Sequence, residues 1–87
     1  MTWDLLFSKQ AEKDTKILKK SEHYYKVNEL LKILKQNPFQ TPPPYEKLQP
    51  PRDKKYSRRI NVQHRLVYEI DEDKKLVKIL QMWTHYE

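Results

Sequence analysis

Residues able to move protons and hold phosphate are spread over the second half of this chain. Glu46 stands alone in a proline-rich segment, Arg58 and Arg59 form a pair, Arg65 lies in the run His64 Arg65 Leu66 Val67 Tyr68, and the chain closes on His85, Tyr86 and Glu87. An acid, a base and cations together suit cleavage of RNA without a metal. The 2′-hydroxyl must lose a proton, the phosphorane must be stabilised and the departing 5′-oxygen must gain a proton. Glu46 can take the first proton and His85 can donate the last. Arg65 and Arg59 can clamp the phosphate bidentately, and Tyr86 can stack on a base or orient the scissile nucleotide. Each residue also has a plainer reading: Glu46 as a solvated carboxylate, the Arg58–Arg59 pair as protection of an exposed strand, and the terminal residues as a loose tail.

The totals narrow the field. Eighty-seven residues form one domain, residues 1–87, and with 37% hydrophobic and 34% charged residues its core must be thin and its surface densely ionic. Eighteen Lys and Arg against twelve Asp and Glu give a formal charge of +6, which favours an anionic partner. The chain has no cysteine, so disulfides and thiolate metal sites are excluded. It has no glycine either, so phosphate must be met by side chains rather than by a glycine-rich loop. His23, His64 and His85 show no paired metal-ligand spacing, and no cofactor is expected. The first ten residues lack the basic start and apolar stretch of a signal peptide, and no segment has the roughly 20 apolar residues a bilayer span requires, so the expected location is the cytoplasm, with no membrane partner.

The elements that must position these residues follow from periodicity. Residues 2–7 read as a short strand, and Ser8 caps a helix over 9–20 whose apolar stripe is Ala11, Thr15 and Leu18. Lys9, Lys13, Lys16, Lys19 and Lys20 cover much of the rest of that helix. Ser21 is the expected cap of a second helix from Glu22, with Tyr24, Val27, Leu30 or Leu31, and Leu34 at three- and four-residue steps, ended by Asn37 and Pro38. Residues 39–44, with three successive prolines, read as a stiff extended connector. A short strand at 45–48, a loop at 49–53 and three antiparallel strands at 56–61, 64–70 and 76–86 complete the pattern. In the middle strand of that meander, Leu66, Tyr68 and Ile70 face the helices, which leaves Arg65 on the open face where Arg59 can join it.

Two blocks, Tyr56 Ser57 Arg58 Arg59 Ile60 and His64 Arg65 Leu66 Val67 Tyr68, carry a resemblance, with Asn37 Pro38 Phe39 before them and Trp83 Thr84 His85 Tyr86 at the end. Together they resemble the YoeB/Txe toxins of the RelE/ParE superfamily over essentially the whole chain. The resemblance implies an α+β fold in which two N-terminal helices pack on one face of an antiparallel β-sheet. It also implies a type II toxin–antitoxin toxin, a ribosome-dependent endoribonuclease (mRNA interferase) that cuts message in the A site. The family's catalytic glutamate and arginine fall on Glu46 and Arg65, its histidine and tyrosine on His85 and Tyr86, and a phosphate-binding arginine on Arg59. Lys47 is a further phosphate-binding candidate, although in a strand it projects to the face opposite Glu46. Gln49 stands where the family often has a lysine, and Glu87 extends the chain past the His-Tyr pair. The partners implied are a YefM/Phd-like antitoxin, the ribosome and mRNA, with a homodimer as a further option. Two rivals remain: a basic RNA- or ribosome-binding module without catalysis, and the gyrase-inhibiting ParE-like branch, which lacks the His-Tyr terminus.

Overall fold

The structure, a computed structural model, describes residues 2–84. Its elements are β1 (Asp4–Phe7), α1 (Lys9–Leu18), α2 (Tyr24–Gln36), β2 (Glu46–Lys47), β3 (Lys55–Arg59), β4 (Arg65–Asp71) and β5 (Leu76–Thr84). The α+β class is the expected one, and the sheet has five strands in the order β1-β5-β4-β3-β2. Strands β2 to β5 are antiparallel neighbours. The first strand departs from an all-antiparallel sheet, since β1 runs parallel to β5 with Asp4 opposite Leu76 and Phe7 opposite Ile79. A short apolar strand carries no mark of its direction. The two helices that follow β1 take the chain across the sheet to its far edge, and the meander then returns to β1 in the parallel sense.

The core forms where two periodicities meet. Ala11 and Leu18 of α1 and Val27, Leu30 and Leu34 of α2 recur at helical steps and bury against Leu66, Tyr68 and Ile70 of β4 and Val77 and Ile79 of β5. Asp14, not Thr15, is the buried residue between Ala11 and Leu18. Thr15 turns back to donate to the Ala11 carbonyl. Ser8 caps α1 as expected, accepting from the Ala11 N–H at 3.0 Å, and its hydroxyl also donates to the Leu80 carbonyl at 2.6 Å. Ser21 does not cap α2. That helix starts later, after His23, and the Ser21 hydroxyl instead accepts from the His23 N–H within the preceding turn.

The proline-rich connector is not extended. It turns at Pro38–Phe39 and bends at Pro42–Pro43, wrapping around Arg58. Arg58 is 1% exposed, so the reading of the Arg58–Arg59 pair as protection of an exposed strand is corrected for this member. Its strand β3 lies inside the sheet, between β2 and β4. Its Nη2 donates to the Pro38 and Gln40 carbonyls, both at 2.9 Å, and its Nη1 to the Pro43 carbonyl. Its Nε donates to the Tyr68 hydroxyl at 3.0 Å, and the guanidinium carbon lies 5.1 Å from the Tyr45 ring centroid. Three carbonyls can converge on one planar fork only if the chain wraps around it. Phe39, Tyr45 and Tyr56 pack edge to face around the same point, and Tyr56 stacks on Tyr68.

Burial pushes the Tyr68 phenol up to about 12, against the opposing pull of Arg58. The folded protein therefore keeps a proton that the unfolded chain releases from about pH 10 upward. The stability tied to that proton is fully present below about pH 10 and is lost as pH rises toward about 12, on the order of 3 kcal/mol in all. Urea melts across this range should show a steeper alkaline loss for the wild type than for Tyr68→Phe. Parallel profiles would remove Tyr68 as its source.

Candidate active site

On the sheet face turned away from the helices, register brings the predicted residues together. Glu46 of β2 stands opposite Ser57 of β3, Ser57 opposite Val67 of β4, and Arg59 of β3 opposite Arg65 of β4. Alternation along each strand puts Glu46, Ser57, Arg59 and Arg65 on that one face. Glu46, Ser57, Arg59 and Arg65 line a cavity of about 550 Å³, with Pro43 and Pro44 among its other walls. Arg58 holds the Pro43 carbonyl, so the buried guanidinium fixes one wall of the cavity as well as the connector.

Glu46 and Arg65 are in contact, with Glu46 Oε2 at 3.1 Å from Arg65 Nη1. The glutamate side chain is 65% exposed and that of the arginine 24%, so one partner meets solvent and the other is backed by the sheet. Among the described residues that line the cavity, three cations, Lys26, Arg59 and Arg65, stand against the single carboxylate of Glu46, a balance that attracts a polyanion. Lys47 does not line it. Its position next to Glu46 in a strand sends it to the other face, so the structure does not bring this phosphate-binding candidate to the site.

The rim is shaped by the β3–β4 turn. The Asn61 side-chain oxygen accepts from the Gln63 N–H at 2.8 Å and the His64 N–H at 2.7 Å, and the Ile60 N–H donates to the His64 carbonyl at 2.9 Å. This turn sets Arg59 opposite Arg65.

His85 and Tyr86 lie outside the described residues. The strand that leads to them ends at Thr84, the register partner of Arg65. Its pairing with β4 shifts between Arg65 and Val67 and again between Val67 and Tyr68, so the end of β5 leaves a regular ladder. Buried Asp14 accepts the Met82 N–H there at 2.9 Å and takes a second bond from Gln10 Nε2 at 3.0 Å. A carboxylate 68 residues away thus fixes the end of β5. Lys26 and Asp14 were not legible as site residues, since each reaches its place through the docking of a helix on the sheet. Among the described residues no group of three His, Asp or Glu side chains is arranged to hold a metal ion.

Comparison with known proteins agrees with this architecture. Residues 3–86 match the family of YoeB-like toxins of bacterial type II toxin-antitoxin systems. No curated protein gives a significant match. Among solved structures, a YoeB/ParE toxin from Agrobacterium tumefaciens superposes with a TM-score of 0.84 at 25% identity, covering 95% of this chain and 99% of that one. A chain of the YoeB-YefM complex from Staphylococcus aureus is 37% identical, with a TM-score of 0.77 and coverage of 97% and 98%. A chain of the archaeal RelE-RelB complex from Pyrococcus horikoshii OT3 is 27% identical, with a TM-score of 0.79 and coverage of 97% and 96%. A match that runs almost from end to end, on a backbone shared with toxins of this kind, means that the chain belongs to the YoeB-like toxin family of bacterial type II toxin-antitoxin systems.

Proposed function

We propose that this protein is a ribosome-dependent mRNA interferase that cuts message in the A site by acid–base transesterification. The observation that supports this reading best is the meeting of Glu46, Arg59 and Arg65 in one open, cation-rich cavity. Glu46 takes the proton of the 2′-hydroxyl, and the 2′-oxygen attacks the phosphorus. The bond from phosphorus to the 5′-oxygen breaks, and His85 gives that oxygen its proton. The products are a 2′,3′-cyclic phosphate and a 5′-hydroxyl. Arg65 and Arg59 hold the nonbridging oxygens while charge develops on them, and Tyr86 orients the scissile nucleotide.

The Glu46–Arg65 ion pair fits this scheme as the resting state. A phosphate entering the cavity competes for the Arg65 guanidinium and leaves Glu46 free to act as base. The exposed lysines of α1 supply sequence-independent contacts to ribosomal phosphate. Solved relatives include a YoeB-YefM complex and a YoeB dimer, both from Staphylococcus aureus. For this chain the corresponding partner is an acidic segment of a YefM/Phd-like antitoxin that covers the basic cavity, in a cytoplasmic setting, and the chain works as a single domain.

The test is single-turnover cleavage on programmed ribosomes, with a binding titration at the same salt, for the wild type and Arg65→Lys. Lysine keeps the charge but cannot make the planar two-point contact. The variant should bind close to normally and lose cleavage rate by roughly 10² to 10³, the scale of removing one oxyanion-stabilising donor. Equal losses in binding and rate would reduce Arg65 to a general positive charge. A wild type that leaves the message intact would end the ribonuclease reading.

A further inference from the structure

We propose that the Ser57 hydroxyl is a further donor to the scissile phosphate, held in reserve beneath the Glu46–Arg65 bridge until a phosphate replaces Glu46 on Arg65. The inference rests on the ribonuclease reading of the cavity and adds a substrate-contacting group to it. Ser57 is 1% exposed, and its Oγ is buried with no hydrogen-bond partner. Among the described residues it is the one buried side-chain polar atom in that condition. Native proteins rarely leave such a group unpaired, because it has lost water and gained nothing in return. Alanine would fill nearly the same space without that loss. A hydroxyl kept at a cost to the folded state is accounted for if it finds its partner when substrate binds.

Its position supports that partner being the phosphate. Ser57 lines the cavity, opposite Glu46 on one side and two residues before Arg59 on the same strand. Strands β2 and β4 flank β3 and so stand roughly 10 Å apart. The Glu46 and Arg65 side chains close that gap to 3.1 Å, and register puts their bridge above β3 at the level of Ser57 and Arg59. When phosphate takes over Arg65, the bridge opens and uncovers the sheet at Ser57. A serine hydroxyl rotates freely to suit an acceptor, so it can donate to a nonbridging oxygen from the floor of the cavity while the guanidinium groups hold the phosphate from its walls.

The experiment compares the wild type with Ser57→Ala in thermal melts, ribosome binding and single-turnover cleavage. The cleavage substrates carry either normal oxygen or sulfur at each nonbridging position of the scissile phosphate. Ser57→Ala should melt at or above the wild-type temperature, bind the programmed ribosome normally and cleave about 10- to 100-fold more slowly. One sulfur diastereomer should slow the wild type markedly more than it slows Ser57→Ala, since the variant has no hydroxyl bond left to weaken. A cleavage rate within about twofold of wild type, or the same sulfur effect in both proteins, would overturn the role of Ser57 while leaving the ribonuclease reading intact. A clear fall in melting temperature would also overturn it, by showing that the hydroxyl serves the fold. A wild type that does not cleave would overturn the ribonuclease reading and this inference with it.

Discussion

Arg58→Ala should come close to unfolding the protein. The substitution removes a side chain that is 1% exposed, strips the Pro38, Gln40 and Pro43 carbonyls of their donors and leaves the Tyr68 hydroxyl without its partner. Orphaned buried acceptors and a cavity left by a large side chain together cost roughly 3–5 kcal/mol, against a total of about 5–15 kcal/mol for a domain. The melting temperature should fall by about 15–30 °C. Arg58→Lys should recover only part of the loss, because one ammonium cannot reach four acceptors spread around a planar fork. The neighbouring Arg59→Ala, at an exposed position, should change stability by no more than about 0.5 kcal/mol. Circular-dichroism melts of the three variants, each carrying Glu46→Gln to suppress toxicity, make the comparison. Arg58→Ala melting within a few degrees of its Arg58 parent would mean that the connector holds its course by itself.

Glu46→Gln should abolish most of the cleavage and leave the fold alone. Glutamine keeps the size of the side chain and an oxygen that can accept from Arg65, but it cannot take a proton from the 2′-hydroxyl. Loss of a positioned general base typically costs about 10² to 10⁴ in rate. The glutamate side chain is 65% exposed, and a surface pair of this kind contributes at most about 1 kcal/mol to stability, so the melting temperature should barely move. Ribosome binding should hold or tighten, since a negative charge leaves the cavity that, under the proposed function, receives a phosphate. Single-turnover cleavage at saturating protein isolates the chemical step. Cleavage at the wild-type rate would take Glu46 out of the role of base and leave it as the resting partner of Arg65.

Much of this was legible in the chain itself, because local periodicity governs it. The three- and four-residue recurrence of Val27, Leu30 and Leu34 can bury only as a helix, and the alternation of Leu66, Tyr68 and Ile70 only as a strand. That alternation also put Arg65 on the open face, and the same rule set Arg59 beside Ser57 and against Arg58. The two motif blocks and the end-to-end match carried the family. Tertiary structure decided the rest. Alternation sends the two adjacent arginines to opposite faces, but what each one meets is tertiary: Arg59 lines the cavity, while Arg58 turns inward to three carbonyls that only a wrapped connector can supply. Lys26 reaches the cavity through the seating of α2 on the sheet, and the Ser57 hydroxyl is buried there without a partner. Spacing along a chain reports which face of its own element a residue occupies. What stands across from that face depends on residues far away in sequence, brought there by the burial of the whole core.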